Sequence, residues 1–273
     1  MKPQNLICII LPVVLLFSCN AEEKKEEPTT KQPGIKTEIA KYSSDTVTMN
    51  GYVAYDSGST GKRPVVMIIH EWWGLNDYTR QRARQIAELG YVAFAVDMFG
   101  NGKTVESPSE ALAMVEPLYG NTELIKTRFN AALAKAKMYG EVDTSRIAAI
   151  GYCFGGALAL ANARMGADLD GVVSFHGSLL LGPANKDMKS KVLVLHGGAD
   201  PMVPPAEVAQ FRKQMDSLGV DYKFVEYPGA LHAFTNPAAT EKGKTYNIPV
   251  AYDAKADSAS WNEMKIFLND VLR

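Results

Sequence analysis

Gly151-Tyr152-Cys153-Phe154-Gly155-Gly156 is the stretch of sequence that decides the fold. It follows a short apolar run at residues 146–152, which we predict to be a buried strand. It precedes a run rich in Ala and Leu at residues 155–165, which we predict to be a helix. Glycines on both sides of Cys153 permit a very tight turn, because side chains at those positions would collide. The stretch therefore predicts that Cys153 stands at a sharp corner between a strand and a helix N-terminus.

The position of Cys153 favours chemistry at its sulfur. Free N–H groups and the helix dipole at a helix N-terminus stabilise negative charge, so they favour a thiolate and can hold a developing oxyanion. The stretch matches the G-x-S-x-G nucleophile elbow with Cys in place of Ser. We predict that Cys153 is a catalytic nucleophile. The alternative is a small, inert core residue in a Gly-rich turn.

Strands and helices alternate along the rest of the chain. Strands are predicted at residues 46–55, 64–70, 91–96, 146–152, 171–175, 191–196 and 222–227. Helices are predicted at 77–89, 107–138 (as two helices broken near residues 119–120), 155–165, 205–218 and 258–272. Continuous apolar strands are typical of a sheet covered on both faces. We predict a single α/β domain, with a mostly parallel central sheet and helices on both faces.

An acid and a base follow the nucleophile in the order that the elbow pattern requires, each after a later strand. Asp200 follows the strand at 191–196 and a Gly-rich turn. His232 follows the strand at 222–227 and a second turn. We predict that His232 exchanges a proton with Cys153 and that Asp200 orients the imidazole and stabilises its charge.

The other histidines are interpreted as structural. His70 and His176 each end a strand and are expected to make structural hydrogen bonds, and His196 precedes the loop from which the acid comes. Asp97, at another strand end, is expected to cap a loop. His70-Glu71 is not part of an H-E-x-x-H zinc motif. The spacing therefore predicts no metal.

With the loop Glu71-Trp72-Trp73-Gly74-Leu75-Asn76, the residues Cys153, Asp200 and His232 give the chain a resemblance to the dienelactone hydrolase family from about residue 47 onward. The resemblance implies the α/β-hydrolase fold and cleavage of small lactones or esters through a Cys-His-Asp triad, without a metal or an organic cofactor. It also implies that Glu71 contacts the resting thiol and moves when substrate binds. The alternative for Glu71 is a solvated loop acid.

The resemblance further implies that the backbone N–H groups of Trp72 and Phe154 form the oxyanion hole. The family's dienelactone-cleaving enzymes use two arginines to hold a substrate carboxylate, but the corresponding stretches here, 97–101 and 234–236, contain none. Trp72, Trp73, Phe99 and Phe154 suggest an apolar pocket, so we expect a neutral lactone or short ester as substrate. The alternatives are a broad carboxylesterase or thioesterase, and a binding protein without catalysis.

The N-terminal residues predict an export signal. Residues 6–17 are almost continuously apolar after Lys2, which predicts a signal peptide at residues 1–19. Leu16-Phe17-Ser18-Cys19 resembles a bacterial lipobox, so we expect a lipoprotein held to a membrane only through lipid on Cys19, with plain secretion as the alternative. A flexible linker is predicted at residues 20–40 and the hydrolase domain at 41–273.

Composition agrees with an enzyme acting on small molecules. The 273 residues have a formal net charge of -1, without the basic surface of a nucleic-acid-binding protein. Besides Cys153, the cysteines are Cys8 inside the N-terminal apolar run and Cys19 just after it, so no disulfide framework is expected in the folded body. The sequence does not determine the oligomeric state.

Overall fold

The computed structural model describes residues 34–183, 185–186 and 188–273. Within them, eight strands form one sheet. The strands are β1 (Ile35–Ser44), β2 (Val47–Asp56), β3 (Arg63–Ile69), β4 (Val92–Val96), β5 (Val142–Tyr152), β6 (Gly171–Phe175), β7 (Lys191–Gly197) and β8 (Tyr222–Tyr227). The helices are α1 (Asp77–Glu88), α2 (Pro108–Tyr119), α3 (Thr122–Ala136), α4 (Phe154–Arg164), α5 (Pro205–Leu218), α6 (Ala239–Tyr246) and α7 (Ala254–Val271).

The sheet order is β1-β2-β4-β3-β5-β6-β7-β8. β1 pairs antiparallel with β2, and β2 pairs antiparallel with β4. The remaining pairs are all parallel. The carboxyl ends of strands β3 to β8 therefore lie along one edge of the sheet, where ligands bind in open parallel sheets. This arrangement confirms the predicted α/β fold.

Helices cover both faces of the sheet. On β3, Val66 and Ile68 pack with residues of α1 and α7, whereas Val65, Met67 and Ile69 pack with residues of α2, α3, α4 and α5. Every residue of β3 is buried. The continuous apolar run arises because alternate side chains enter two different cores.

The predicted break in the long helical segment is confirmed. α2 ends at Tyr119 with Gly120 as its cap, and α3 begins at Thr122. The side chain of Asn121 caps α3 by accepting a hydrogen bond from the N–H of Leu124 at 3.0 Å. A polar cap between two apolar patterns marks the boundary between the helices.

The predicted linker, residues 20–40, is wrong at its C-terminal end. Residues from Ile35 onward belong to β1, which pairs with β2 along its whole length from Ile35 to Ser44. β1 alternates exposed and partly buried positions and contains charged residues, so its apolar content alone does not mark it as a strand. The partner strand supplies the stabilisation.

The predicted signal peptide, the lipobox and the first part of the linker lie outside the described residues. Among the helices that are described, none combines the length and apolar character needed to cross a membrane.

Candidate active site

Cys153 occupies the corner between β5 and α4, as the sequence predicted. Its backbone has φ 55° and ψ -119°, a conformation that L-residues rarely adopt. A Cβ atom on Gly151 would lie 2.0 Å from the carbonyl oxygen of Gly155, and one on Gly155 would lie 2.2 Å from that of Ile69. The glycines are therefore required by the close approach of backbone to backbone, and the corner aims Cys153 over the edge of the sheet.

The structure brings Cys153, His232 and Asp200 together from three separate loops. His232 Nε2 lies 3.0 Å from Cys153 Sγ, and His232 Nδ1 lies 2.8 Å from Asp200 Oδ2. The N–H of Met202 donates to Asp200 Oδ1 at 2.8 Å, which fixes the carboxylate. His232 and Asp200 are buried, and Cys153 is partly exposed. Sulfur, imidazole and carboxylate are connected in the order required for a nucleophile, a base and an orienting acid.

The environment of His232 favours its protonated form. Burial alone lowers the pKa of His232, but the negative charge of an ionised Cys153 and the hydrogen bond to Asp200 outweigh burial and raise the pKa to about 10. An imidazolium held beside a sulfur is one half of a thiolate–imidazolium pair.

Glu71 is a buried acid, so the alternative of a solvated loop residue is wrong. Its side chain is 2% exposed, and burial raises its pKa to about 7 in spite of the opposing hydrogen bond from Asn236. That bond runs from Asn236 Nδ2 to Glu71 Oε2 at 2.6 Å. Glu71 and Cys153 line the same cavity. The direct contact between Glu71 and the resting thiol that the resemblance implies stays a prediction.

Trp72 and Phe154 also line this cavity. Phe154 is the first residue of α4, where backbone N–H groups have no partner within the helix. The loop that carries Trp72 is held by the buried His70. His70 Nδ1–H donates to the carbonyl oxygen of Glu71 at 2.5 Å, and His70 Nε2 accepts the N–H of Met98 at 3.2 Å. The backbone N–H of Phe154 therefore lies at the start of α4, and that of Trp72 lies on a loop that His70 holds through hydrogen bonds.

The cavity in front of Cys153 has a volume of about 300 Å³ and mainly apolar walls. Its apolar lining residues are Trp72, Trp73, Leu112, Val115, Tyr119, Phe154, Met202, Ala233, Ala239, Ile248, Pro249 and Val250. Of the four aromatic residues that suggested the pocket, Phe99 is not among its lining residues. Phe99 lies in the core, where its ring packs against His70 at 4.7 Å and Phe154 at 5.8 Å between centroids.

The family model of the dienelactone hydrolases matches residues 49–272. The chain belongs to the dienelactone hydrolase family. Membership of the family makes it a hydrolase of ester or lactone bonds.

Relatives with known structure or sequence extend this assignment over most of the chain. The crystal structure of a dienelactone hydrolase-like promiscuous phosphotriesterase from metagenomic libraries is 34% identical, with a TM-score of 0.83, and covers 88% of this chain and 99% of its own. Protein usf of Aquifex pyrophilus is 26% identical over 241 residues, 86% of this chain and 99% of its own. A relative from Methylorubrum extorquens, whose name suggests a carboxymethylenebutenolidase, is 28% identical over 186 residues, 64% of either chain.

The two stretches for which the resemblance implies substrate-binding arginines, 97–101 and 234–236, take other roles in the structure. Gly100 and Asn101 lie beside β2, where Asn101 N–H donates to the carbonyl oxygen of Thr48 at 2.7 Å. Asn236 lines the cavity but holds Glu71. The cation among the described lining residues is Lys242, whose Nζ lies 3.8 Å from the ring centroid of Trp73.

Of the residues interpreted as structural, His70, His176 and Asp97 make buried hydrogen bonds, and His196 makes a ring contact. The carboxylate of Asp97 caps its loop by accepting N–H groups from Phe99, Gly100 and Gly102, together with that of Asn50 on β2. His196 packs against Phe224. In the part of the chain that the structure describes, no three His, Cys, Asp or Glu side chains are grouped so as to hold a metal ion.

Sequence reasoning missed Lys242 and the lining residues on α2. α6, which carries Lys242, contains few apolar residues and was not predicted as a helix. Leu112, Val115 and Tyr119 lie on α2, on the stretch that was predicted helical. Only their placement over the edge of the sheet brings them to Cys153, and this placement has no local signal in the sequence.

Proposed function

We propose that the protein is a cysteine-dependent hydrolase of small, neutral lactones or esters, acting through Cys153, His232 and Asp200. The observation that carries this proposal is the continuous contact from Cys153 Sγ to His232 Nε2 at 3.0 Å and from His232 Nδ1 to Asp200 Oδ2 at 2.8 Å. Cys153 and His232 line a cavity that can hold a substrate, and the chain belongs to a family of hydrolases. Both facts support a catalytic role for these residues.

In the first half of the reaction the sulfur of Cys153 attacks the substrate carbonyl carbon, and the carbonyl π electrons move to oxygen. The N–H groups of Trp72 and Phe154 hold the resulting oxyanion. When the oxyanion collapses, the bond to the alcohol oxygen breaks and His232 gives that oxygen its proton. The product of this half is an acyl-thioenzyme, with neutral His232 still oriented by Asp200.

In the second half water replaces the alcohol. His232 takes a proton from a water molecule as that water attacks the thioester carbonyl, and the same two N–H groups hold the second oxyanion. Collapse breaks the carbon–sulfur bond and releases the carboxylic acid. Protonated His232 and the Cys153 thiolate are then again next to each other, as at the start of the cycle.

The walls of the cavity support a neutral substrate. They are dominated by tryptophan, phenylalanine and aliphatic side chains, which do not solvate a carboxylate. A bidentate arginine clamp cannot be formed at Gly100 and Asn236. Lys242 is the residue that could instead favour an anionic group. Lys242→Met therefore tests the substrate class, because it should leave hydrolysis of neutral esters unchanged and reduce that of carboxylate-bearing ones.

The deciding experiment is a hydrolysis screen of the purified chain beside Cys153→Ala. The panel holds neutral lactones, short acyl esters, thioesters, dienelactone and a neutral aryl phosphotriester, the last because of the phosphotriesterase relative. Turnover lost in the folded variant supports the proposal, and the preferred compound separates a lactonase from a broad carboxylesterase or thioesterase. Full activity in Cys153→Ala would contradict it, and binding without turnover would favour a non-catalytic protein.

We also propose that the chain is exported and anchored through lipid on Cys19. The apolar run and the lipobox-like residues 16–19 support this proposal. More than one acyl chain is needed for stable anchoring. Fractionation of cells producing the wild type or Cys19→Ala should show loss of membrane retention in the variant. Unchanged retention would contradict the lipid anchor.

A further inference from the structure

His176 lies directly beneath the nucleophile corner. It follows β6, its side chain is 1% exposed, and its backbone has φ 41°. The backbone N–H of Cys153 points between two acceptors, the carbonyl oxygen of Phe175 at 2.9 Å and His176 Nδ1 at 3.1 Å. The imidazole of His176 therefore helps to hold the strained backbone of Cys153.

This contact requires one particular tautomer of His176. Because Nδ1 accepts the N–H of Cys153, a neutral ring carries its hydrogen on Nε2. Nε2 lies 2.7 Å from Thr235 Oγ1, which accepts that hydrogen. Burial, together with the charges of His232 and Arg82, lowers the pKa of His176 well below its ordinary value, so the ring stays neutral. The hydroxyl of Thr235 thus supplies the acceptor for the Nε2 hydrogen of the tautomer that supports the corner.

Thr235 is fully buried and is held from two further directions. Its Oγ1 lies 2.7 Å from Tyr78 OH, and its carbonyl oxygen accepts Arg82 Nη2–H at 2.8 Å. Arg82 Nη2 also forms an ion pair with Asp257 Oδ1 at 2.5 Å. Helices α1 and α7, which supply Arg82 and Asp257, therefore fix the position of the Thr235 hydroxyl.

The same segment carries two other parts of the site. His232 lies three residues before Thr235 in the sequence, and Asn236, which holds Glu71, is the next residue. Thr235 consequently connects the loop of the base with the backbone of the nucleophile. The residues around the cavity do not include His176 or Thr235, so neither contacts a substrate there.

We propose that His176 and Thr235 are positioning residues, in which the Thr235 hydroxyl accepts the Nε2 hydrogen of His176 and so stabilises the tautomer whose Nδ1 holds the Cys153 backbone in its reactive conformation. This inference rests on the proposed role of Cys153 as the nucleophile. The proposal differs from a purely structural role because it requires the hydrogen of the His176 imidazole to be on Nε2, which can be measured directly.

The test compares Thr235→Val, which keeps the shape and removes the hydroxyl, with Thr235→Ser, which keeps the hydroxyl. Three quantities are measured on the full chain, after thermal unfolding has shown that each variant folds. They are kcat and KM with the ester preferred in the screen, the rate at which iodoacetamide alkylates Cys153, and the ¹⁵N shifts of His176. Alkylation is followed by mass spectrometry of the Cys153 peptide, so that reaction at any other cysteine does not enter the measured rate. The signals of His176 are assigned by their loss in His176→Asn.

The expected result is that wild-type His176 carries its hydrogen on Nε2. In Thr235→Val the ¹⁵N shifts of His176 change. Both kcat and the alkylation rate of Cys153 fall about 10- to 100-fold, as expected for a nucleophile displaced by up to about one ångström. KM stays unchanged, and Thr235→Ser restores both rates. A hydrogen on Nδ1 in the wild type, or wild-type rates in folded Thr235→Val, would overturn the proposal.

A second pair of variants covers the case in which Thr235→Val does not fold. His176→Asn can place an amide oxygen near the position of Nδ1 and accept the N–H of Cys153, whereas His176→Leu cannot. Faster alkylation of Cys153 in His176→Asn than in His176→Leu supports the proposal, and equal rates overturn it. The tautomer of His176 and the alkylation rate of Cys153 can both be measured without any catalytic turnover. They therefore decide this inference even if an active Cys153→Ala variant disproves the proposed function.

Discussion

Replacing Glu71 by glutamine should make the protein more stable at alkaline pH and change little at acidic pH. The carboxyl group is buried, and burial raises its pKa to about 7 from the ordinary 4.5. The folded protein therefore holds this proton more tightly than the unfolded chain does. Stability from this group is fully present below pH 4.5, falls as the pH rises towards 7, and stays lost above that value.

The size of the effect follows from the two pKa values. Their difference corresponds to about 3 kcal/mol of unfolding free energy between the acidic and alkaline limits, at about 1.4 kcal/mol for each pH unit. Between pH 5 and pH 8 most of it, about 2–3 kcal/mol, is lost. Glutamine has no proton to lose, and its carbonyl oxygen can still accept the hydrogen bond from Asn236.

Urea denaturation of the wild type and Glu71→Gln at pH 5 and pH 8 measures this change. The free-energy difference between the two proteins should shift by about 2–3 kcal/mol in favour of the variant at pH 8. Other titrating groups are shared by both proteins and cancel. Glu88→Gln, on the exposed surface of α1, is the matched control for the substitution itself. A difference that is constant with pH, or that shifts towards the wild type, would refute the assignment of a buried carboxyl with a raised pKa.

Three further substitutions test the site and its support. Asp200→Asn should keep the fold but lower kcat about 10³- to 10⁴-fold, because His232 loses the acceptor that sets its tautomer; kcat above a tenth of the wild-type value would argue against the triad. Asp257→Asn leaves Arg82 without its ion-pair partner and should lower the unfolding free energy by about 3 kcal/mol in urea, with an unchanged midpoint counting against a tight pair. Gly151→Ala should prevent accumulation of folded protein, because its Cβ would overlap backbone; a normally folded variant would show that the corner can open.

The grouping of Cys153, Asp200 and His232 could be predicted from the sequence because each residue has a local signal. Cys153 is marked by its flanking glycines, and Asp200 and His232 each follow an apolar run and a turn. Parallel pairing then brings the carboxyl ends of β5, β7 and β8 to one edge of the sheet. Local patterns and the rule of parallel topology together are sufficient to place three residues that are far apart in sequence.

The supporting contacts could not be predicted in the same way. The hydrogen bond between His176 and Thr235 joins residues separated by 59 positions, and that from Arg82 to Thr235 spans 153 positions. Neither Thr235 nor Arg82 belongs to a sequence motif. The role of each side chain depends on which distant residue it hydrogen-bonds, and a local sequence pattern does not indicate that residue. β1 escaped prediction for a related reason, since its stability comes from pairing with β2.

Asn236 shows why the substrate class and the electrostatics of the nucleophile change together. The resemblance places an arginine of the dienelactone-cleaving enzymes just past the catalytic histidine, and here Asn236 lies there and donates to Glu71. A cation at this position would lower the pKa of Glu71, because it favours the charged carboxylate. With a neutral amide, burial prevails and the pKa of Glu71 rises to about 7. Near neutral pH a substantial share of Glu71 is then uncharged and does not oppose a thiolate on Cys153. If Glu71 contacts the resting thiol as the resemblance implies, a neutral residue at position 236 in place of an arginine removes a site for a substrate carboxylate and also weakens the repulsion between Glu71 and a thiolate on Cys153.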